Sequence, residues 1–249
     1  MRVYAIGDVH GQLEMLRAAH ARIAADRARV GDFDAPVVQL GDLCDRGPDT
    51  AGVIDFILER RVAGELWVTL RGNHDRMFLD FIEEPGAVGP AQRPGLVWLD
   101  HRLGGIETLR SYGIEADGRL DVEELQALAP ARVPAAHKRL LREQRLYMAT
   151  DDLILVHAGI RPGVPLEEQS EEDLIWIREP FLSDRRDHGR LVVHGHTPVE
   201  APMHAGNRVN LDTGAGYFRR LTAAVFEGRR CWILEDEGRV LLPPPPGWH

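Results

Sequence analysis

The sequence contains little cysteine, no long apolar run and no dense basic segment. Its two cysteines, Cys44 and Cys231, lie far apart and lack the spacing of metal ligands. A disulfide framework is therefore not expected, and a reducing cytoplasm fits the composition. The N-terminal residues do not resemble a secretory leader, and no stretch reaches the length that spans a membrane. We expect a cytoplasmic protein without a membrane partner.

The charge of the chain argues against a further class of partner. The 249 residues carry a formal net charge of −9, and no cluster of Lys or Arg appears along the sequence. A nucleic-acid backbone is not an expected partner, because such binding depends on clustered cations. Hydrophobic residues make up 44% and charged residues 28%, as in ordinary globular proteins. Bound divalent cations would offset part of the negative charge.

Short apolar runs predict β-strands, and amphipathic segments between them predict α-helices. The five runs that end in polar loops are Arg2–Ile6, Val37–Leu40, Leu66–Leu70, Leu153–Val156 and Leu191–Val193. Three later runs, spaced closely enough for an antiparallel meander, are Arg208–Leu211, Thr222–Phe226 and Cys231–Leu234. Helices are predicted at Leu13–Ala28 and Asp49–Arg61, the second with Asp49 or Thr50 as its N-cap. The alternation of strands and helices indicates an α/β fold.

The middle of the chain has a different character. The segment Glu83–Gly95 is rich in proline and glycine and is typical of a loop. The segment Leu96–Met148 is predicted to be mostly helical, with an interruption at "SYGIEADGRL". We interpret residues 83–148 as a helical insertion within a single domain that spans residues 1–249.

Polar residues of catalytic type follow each of the five early runs. "GDVHG" follows Ile6, "GDLCDRG" follows Leu40, and "GNHD" comes one residue after Leu70. "HAG" follows Val156 and "HGHT" follows Val193. Functional sites of α/β sheets assemble at the carboxyl ends of their strands. We therefore expect the five loops to converge on one site.

The residue types in these loops suit metal ions. Asp, Asn and His offer oxygen and imidazole ligands without thiolate, a set that favours Mn²⁺, Fe²⁺ or Zn²⁺. Asp8 and His10 lie two residues apart on an extended loop, so both side chains can reach one ion. The carboxylate of Asp42 can bridge two ions, and ions about 3.5–4 Å apart suit in-line displacement at phosphorus.

Taken in order, the five motifs resemble the phosphoprotein phosphatase family of calcineurin-like metallophosphoesterases. The resemblance runs from Asp8 to Thr197, and "GGIETLRSYG" and "DLIWIRE" resemble its bacterial serine/threonine protein phosphatases. It implies an α/β fold of two packed mixed β-sheets flanked by α-helices, with a mostly helical insertion. It also implies hydrolysis of a phosphoester by in-line attack of a hydroxide that bridges two metal ions.

The resemblance implies a role for individual residues. The metal ligands would be Asp8, His10, Asp42, Asn73, His157 and His196, with Asp42 as the bridge and two divalent ions, Mn²⁺ first and Fe or Zn as alternatives, as the cofactors. His74 would protonate the leaving oxygen, and Asp45 would orient His74. The residues expected to bind substrate phosphate are Arg46, Arg178, Asn73 and Arg161. Arg161, in "HAGIRPG", competes with Arg178, in "WIRE", for the same role.

The substrate stays open between related classes. A serine/threonine phosphoprotein is the first expectation, because "GGIETLRSYG" argues against a dinucleoside-tetraphosphate hydrolase. The "GNHD" form keeps that hydrolase as an alternative, and a broad small-molecule phosphatase is another. A non-catalytic binding module is disfavoured, because all six ligand positions and the pair His74 and Asp45 are present.

Other polar residues near the motifs are expected to be structural. Asp75 would support its loop through hydrogen bonds, and Asp212 would lie in a turn. His194 would be a buried polar group beside the site rather than a ligand. The acidic run Leu166–Leu174 would be either a solvated face or the start of a helix capped by Ser170.

Overall fold

Two packed β-sheets form the centre of the structure, a computed structural model that describes residues 1–83, 98–116 and 119–248. In chain order the strands are Arg2–Ile6 (β1), Val37–Gln39 (β2), Trp67–Thr69 (β3), Tyr147–Ala149 (β4), Leu153–Val156 (β5), Leu191–His194 (β6), Met203–His204 (β7), Arg208–Asn210 (β8), Ala223–Glu227 (β9), Arg230–Glu235 (β10) and Gly238–Leu242 (β11). The helices are Leu13–Val30 (α1), Thr50–Val62 (α2), Asn73–Glu83 (α3), Gly105–Ser111 (α4), Val122–Arg132 (α5), Ala135–Glu143 (α6) and Glu171–Trp176 (α7). Short 3₁₀ turns lie at Leu166–Glu168 and Ala215–Tyr217.

The order of the strands confirms an α/β fold with two mixed sheets. The first sheet has the spatial order β11-β10-β9-β1-β2-β3, and the second has the order β4-β5-β6-β8-β7. Strands β1, β2 and β3 are parallel, as are β5, β6 and β8. The carboxyl ends of parallel strands meet at one edge of a sheet, so each sheet offers one edge where loops can converge.

The predicted meander was wrong in one of its strands. The segment Arg208–Asn210 pairs in parallel with β6 in the second sheet, whereas β9, β10 and β11 form the antiparallel meander of the first. The distances along the chain suited either pairing, so spacing alone did not distinguish them. The strand that completes the meander, β11, was not predicted.

Alternating side chains explain how the two sheets pack. In β1, Val3 and Ala5 join the hydrophobic cluster between the sheets, while Tyr4 and Ile6 face the cluster under the helices. Successive side chains of a strand point to opposite faces, so one short strand serves both layers. The cluster between the sheets also contains Val38, Leu40, Val68 and Leu70 of the first sheet and Leu153, Leu155, Leu191, Val193 and Val209 of the second. This shared apolar layer fixes one sheet against the other.

The helix termini follow local capping rules. Asp49 is the N-cap of α2, and its side chain accepts a hydrogen bond of 2.8 Å from the backbone N–H of Gly52. Ser170 is the N-cap of α7 and accepts from the N–H of Asp173. Asp49 was one of the two predicted caps of α2, and a cap at Ser170 was one of the two interpretations of the acidic run. Helix α1 runs two residues beyond its predicted end and stops at Gly31, which adopts the left-handed backbone that glycine tolerates (φ 68°).

The described part of the middle segment, 98–116 and 119–148, contains helices α4, α5 and α6, as predicted for it. Most of the predicted loop Glu83–Gly95 lies outside the described residues, and Glu83 itself ends helix α3. Leu109, Leu125 and Leu141 of this segment belong to the hydrophobic cluster that covers the outer face of the first sheet. The helices therefore pack directly on the sheet. That residues 83–148 form an insertion in a single domain stays a prediction.

Two expectations from the composition can be compared with the fold. Cys44 and Cys231 are both buried free thiols, so the two cysteines form no disulfide. Over the described ranges, no helix combines the length and the apolarity that crossing a bilayer requires.

A buried carboxylate, Asp26, ties α1 to the far strand of the meander. It accepts hydrogen bonds from Arg239 (2.8 Å from both Nε and Nη2), from Arg29 (2.6 Å) and from the hydroxyl of Tyr4 (2.9 Å). Burial alone would raise the pKa of Asp26, but these hydrogen bonds outweigh it and lower the pKa to about 2. Ionised Asp26 therefore stabilises the folded state.

Replacing Asp26 by asparagine is expected to lower the free energy of unfolding at pH 7 by about 2 kcal/mol, from the shift of its pKa. Because the folded pKa is depressed, this stabilisation is complete above the unfolded pKa of about 4 and is lost as the pH falls through 2. Urea unfolding of both proteins at pH 7 and pH 3 measures it. The gap between them should shrink at pH 3.

The exposed Asp34 supplies the control. Asp34→Asn should unfold like the unmodified protein at both pH values. A gap between Asp26→Asn and the unmodified protein that is equal at pH 7 and pH 3 would contradict an electrostatic origin.

Candidate metal centre

The structure brings the six predicted metal ligands together at the carboxyl ends of the strands. From the first sheet, Asp8 and His10 follow β1, Asp42 follows β2, and Asn73 begins α3 just after β3. From the second sheet, His157 follows β5 and His196 follows β6. The six side chains are buried, with at most 7% of any residue exposed. The site therefore lies where the matching edges of both sheets meet.

Left-handed backbone is concentrated in these loops. Among the described residues, six that are not glycine have a positive φ, and they include His10 (48°), Asp42 (55°) and His196 (65°). Asp45 (74°) and Arg46 (66°) are two more. Side chains disfavour this conformation, and it clusters at functional sites where a particular side chain is needed. Five of the six residues lie in the loops that were predicted to carry the chemistry.

Two glycines let the loops approach one another. A Cβ at Gly72 would lie 2.1 Å from Oδ1 of Asp42, and a Cβ at Gly195 would lie 2.0 Å from Oδ1 of Asp8. No side chain fits at such distances, so both positions need glycine for steric reasons. At these two glycines the backbone therefore lies directly against the carboxylates of Asp42 and Asp8.

One group of ligand atoms is formed by Asp42, His157 and His196, whose donor atoms all lie within 4.8 Å of one another. Oδ1 of Asp42 is 3.5 Å from Nε2 of His157. Oδ1 of Asn73 lies 3.0 Å from that same nitrogen and 2.8 Å from Nδ1 of His196. The backbone oxygen of Leu40 accepts from Nδ1 of His157 at 2.9 Å and leaves Nε2 turned toward the group.

A second group contains His10, Asp42 and His74, again with donor atoms within 4.8 Å of one another. Nε2 of His10 is 3.5 Å from Oδ2 of Asp42, whereas Oδ1 of Asp42 faces His157. Asp42 therefore belongs to both groups and presents one carboxylate oxygen to each. This arrangement suits the bridging role predicted for it.

Buried polar atoms without partners indicate that cations fit here. Oδ1 of Asp8 and Nε2 of His196 are buried and, within the described part of the chain, accept or donate no hydrogen bond. The other carboxylate oxygen of Asp8 accepts from the N–H of His196 at 3.0 Å. An unsatisfied buried carboxylate oxygen or imidazole nitrogen is costly unless a ligand satisfies it. Together with a donor set of oxygen and imidazole nitrogen, these atoms fit divalent metal ions.

The shifted pKa values of the buried carboxyl groups and imidazoles also indicate a cation site. Burial, with the nearby charges of Asp212 and Asp42, raises the pKa of Asp8 well above its usual value. Burial also raises the pKa of Asp42 to about 6 and lowers the pKa of His10 and of His196 well below the usual value. Like charges therefore crowd in a buried space lined by neutral imidazoles. Bound cations would relieve that repulsion and hold the carboxylates ionised.

His74 and Asp45 form a hydrogen-bonded pair beside these ligands. Nδ1 of His74 lies 2.6 Å from Oδ2 of Asp45. That carboxylate also accepts from the indole N–H of Trp98 at 2.9 Å and from the hydroxyl of Thr108 at 2.8 Å. Burial lowers the pKa of His74 to about 4 and raises the pKa of Asp45 to about 7. The pair fixes the ring of His74 so that Nε2 faces the site.

The guanidinium of Arg46 lies over both histidines of this part of the site. Nη1 is 2.5 Å from Nε2 of His10, and Nη2 is 3.1 Å from Nε2 of His74. The ring of Tyr217 covers the other side, with its centre 5.0 Å from Cζ of Arg46. Arg46 is therefore positioned beside the ligand groups, and its binding of phosphate there stays a prediction.

The two other predicted phosphate-binding arginines differ in position. Arg178 is exposed just after α7, and its positive charge contributes to the lowered pKa of His196. The guanidinium of Arg161 pairs with Asp173 instead, through contacts of 2.8 and 2.5 Å, and its side chain is half exposed. The structure brings Arg178 near the site and holds Arg161 in an ion pair with Asp173. Phosphate binding by either remains a prediction.

Several supporting residues were not found from the sequence. Trp98 and Thr108 reach Asp45 across 53 and 63 residues of chain, so no local pattern reveals them. Gln144 donates to Asp75, which also accepts from the N–H groups of Leu43 and Gly72. Asp75 thus has the loop-supporting contacts expected of it.

Residues beside the motifs also have contacts that the sequence left undefined. Asp212 accepts from the N–H of Gly214 in the predicted turn. Buried His194 has Nδ1 at 3.1 Å from the oxygen of Gly195. Cys44, whose role the sequence left open, acts through its backbone, because its carbonyl oxygen accepts from Nδ1 of His10 at 2.8 Å. Burial raises the pKa of its thiol well above the usual value.

Known proteins share this sequence pattern and this fold. A model of the calcineurin-like phosphoesterase family matches residues 1–225. Serine/threonine-protein phosphatase 1 of Salmonella typhimurium is 30% identical over 234 residues, which cover 89% of this chain and 90% of that protein. The bis(5′-nucleosyl)-tetraphosphatase PrpE [asymmetrical] of Anoxybacillus flavithermus is 28% identical over 243 residues, which cover 88% of this chain and 87% of that protein.

Solved structures agree on the fold. A crystal structure of a putative diadenosine tetraphosphatase superimposes with a TM-score of 0.64 at 21% identity, covering 99% of this chain and 95% of that one. A cold-active protein-tyrosine phosphatase of a Shewanella species gives a TM-score of 0.63 at 18% identity, covering 97% and 80%. The family is one of binuclear metal-dependent phosphoesterases, and the two ligand groups that share Asp42 fit such a centre. The chain therefore belongs to the calcineurin-like phosphoesterase family and is a metal-dependent phosphatase, as its motifs predicted.

Proposed function

We propose that this phosphatase removes phosphate from serine and threonine residues of proteins, using two divalent cations. The observation that carries the two-cation reaction is the position of Asp42, which presents one carboxylate oxygen to each of two ligand groups. Two bound cations would neutralise charge at phosphorus and lower the pKa of a water molecule toward neutrality. Mn²⁺ is the proposed activator, because the ligands are oxygen and imidazole nitrogen without thiolate.

The ligands divide between the two ions. Asp8, His10 and Asp42 would hold the first ion, and Asp42, Asn73, His157 and His196 would hold the second. The unpartnered Oδ1 of Asp8 supports the first set, and the distance of 2.8 Å between Nδ1 of His196 and Oδ1 of Asn73 supports the second. His74 lies in the same group of atoms as His10, but the family resemblance gives it another role, and Asp45 holds its Nδ1 with Nε2 toward the site. We therefore assign His74 to proton transfer.

The chain's own residues would act on the substrate in three ways. Arg46 would hold two phosphate oxygens with its planar guanidinium, after exchanging its contacts to the two histidines for the substrate. His74 would act as an imidazolium, giving a proton from Nε2 to the leaving oxygen while Asp45 accepts from Nδ1; the move of Arg46 to the phosphate would remove one of the charges that keep the pKa of His74 low. Asn73 and exposed Arg178 would add contacts to phosphate. Arg161 would contribute only by leaving its pair with Asp173.

Similarity to named relatives supports two candidate substrates, and the state of the cysteines supports a cellular compartment. Similarity to a protein named serine/threonine-protein phosphatase 1 supports a phosphoprotein. Similarity to a protein named bis(5′-nucleosyl)-tetraphosphatase supports a second candidate, hydrolysis of a dinucleoside tetraphosphate. Two buried free thiols support action in a reducing compartment, which we propose to be the cytoplasm.

A comparison of three substrates tests the proposal. The purified protein with Mn²⁺ is expected to cleave a phosphoserine peptide with a higher kcat/KM than diadenosine tetraphosphate, with p-nitrophenyl phosphate as a reference for the shared chemistry. Phosphate release measures all three reactions. Faster cleavage of the dinucleotide by orders of magnitude would replace the first candidate by the second. Metal-loaded protein that cleaves none of the three would overturn phosphoester hydrolysis itself.

A further inference from the structure

Two exposed aromatic residues lie side by side in the chain, at the end of the 3₁₀ turn that contacts the site through Tyr217. Tyr217 is 55% exposed and Phe218 is 71% exposed, and we call the two rings the aromatic ledge. The ring of Tyr217 covers the guanidinium of Arg46. The preceding Gly216 is so close to the site that a Cβ there would lie 2.7 Å from Cδ2 of His10. The ledge is therefore an outward continuation of the phosphate-binding region.

Phe218 occupies a backbone position that suits glycine. Its φ is 61° and its ψ is 23°, and it is the sixth non-glycine residue with positive φ among the described residues. Backbone hydrogen bonds fix this conformation, from the N–H of Phe218 to Ala215 (2.8 Å) and from the N–H of Arg219 to Gly214 (3.2 Å). A bulky side chain is strained there. The other five residues in this conformation are all in the site.

The ring of Phe218 contributes little to the stability of the fold, so it does not offset the backbone strain. With most of its surface in water, it gains little of the stabilisation that burial gives an aromatic side chain. Single exposed apolar residues are common on proteins, but this one combines exposure with backbone strain and a place beside the catalytic residues. A residue that destabilises the fold at such a place indicates a binding role.

The geometry also indicates what the ledge would contact. A phosphate held by Arg46 would lie next to Tyr217, and Phe218 follows Tyr217 directly in the chain. In an extended peptide, neighbouring residues are spaced by about 3.3–3.6 Å, so a residue flanking the phosphorylated one would reach the ledge. An aromatic side chain would gain most from stacking on an exposed ring.

We propose that Phe218, together with Tyr217, binds an aromatic side chain that flanks the phosphorylated serine or threonine. The inference rests on the proposed function and adds a sequence preference to it. Phe218 would act as a specificity-determining residue, contacting the substrate beside the reacting phosphate rather than taking part in proton transfer or metal binding.

Two phosphoserine peptides that differ only in having Phe or Ala next to the phosphoserine test the proposal. The unmodified enzyme is expected to show a KM about tenfold lower for the Phe peptide, on the scale of one aromatic contact. Phe218→Gly should abolish that difference, and Phe218→Tyr should retain it. Phe218→Gly should also raise the midpoint of thermal unfolding, by about 2–4 °C, because it relieves the strain.

A matched control comes from Phe33, which is 66% exposed in the loop before β2, at the opposite end of that strand from the site. Phe33→Ala should leave the ratio of the two KM values unchanged. If Phe218→Gly keeps the full preference for the Phe peptide, or if the unmodified enzyme has none, the inference is wrong while the proposed function stands.

Kinetics with diadenosine tetraphosphate test whether the ledge binds a nucleobase instead of a peptide side chain. If Phe218→Gly raises KM for the dinucleotide but leaves both peptides unaffected, the ledge binds a nucleobase and the peptide proposal is overturned. An enzyme that cleaves no phosphopeptide at all would overturn the proposed function, and the inference with it. The two failures are distinguishable, since only the second abolishes turnover of both peptides.

Discussion

Replacing His74 by asparagine is expected to lower kcat by about two to four orders of magnitude, the contribution of a positioned general acid. Asparagine keeps a polar group of similar reach to Nδ1 but cannot deliver a proton to a leaving oxygen. The hydrogen bonds to Asp45 and the further contacts of Asp45 to Trp98 and Thr108 show that His74 is held in one orientation. Steady-state kinetics with a phosphoserine peptide measure the loss, because its basic serine leaving oxygen depends on protonation.

Metal content is the second measurement for this variant, because His74 lies among the ligand atoms of His10 and Asp42. If His74 transfers a proton, His74→Asn should bind as much metal as the unmodified protein. Loss of one ion would instead assign His74 to the metal centre. His20→Asn is a matched control, since His20 also contacts a carboxylate, Glu65, but lies in α1 away from the site. Its kcat should be unchanged.

Replacing Asp42 by asparagine is expected to weaken metal binding by at least about a hundredfold, since substitutions that only support a ligand already cost tenfold to a hundredfold. The amide keeps the volume of the side chain but offers one oxygen instead of two and carries no charge. Because Asp42 belongs to both ligand groups, both ions should be affected, and activity should fall with metal content. Metal analysis of the purified protein measures the loss.

Thermal unfolding gives a readout for Asp42→Asn that does not depend on activity. A cation that binds only the folded state raises the unfolding midpoint as its concentration increases. Added Mn²⁺ should raise the midpoint of the unmodified protein and of Asp45→Asn, whose substituted carboxylate is not itself a member of either ligand group. Asp42→Asn should show little of this increase. An Asp42→Asn protein with two ions and full activity would contradict the bridging role.

Local sequence patterns predicted most strands and the first two helices, but not α3. Met77, Phe78, Phe81 and Ile82 of α3 are buried at the spacing of a helix face. That pattern was available in the sequence, but its first turn, Asn73 to Arg76, coincides with the "GNHD" motif that was interpreted as a loop. Strands β4 and β7 are only three and two residues long, too short for an alternating pattern to be recognised.

The candidate site was more predictable than its surroundings, for a physical reason. The proposed ligands Asp8, Asp42 and His196 occur in short motifs, because each loop must place its polar residue within a few positions of a strand end. The residues that hold those ligands have no such restriction. Thr108 reaches Asp45 from α4, and Tyr217 reaches Arg46 from a turn between the last strand of one sheet and the meander of the other. Contacts of this kind require knowledge of the packing.

The contact between Asp8 and His196 spans 188 residues of chain, and it has a consequence for how the protein is made. At synthesis rates of about 5–20 residues per second, roughly 10–40 s separate the appearance of these two ligands. During that interval the second sheet is incomplete, and the loop that follows β6 has not yet been made. We therefore expect the cofactor to be acquired only after the ribosome has passed His196, as a late step in the maturation of the enzyme.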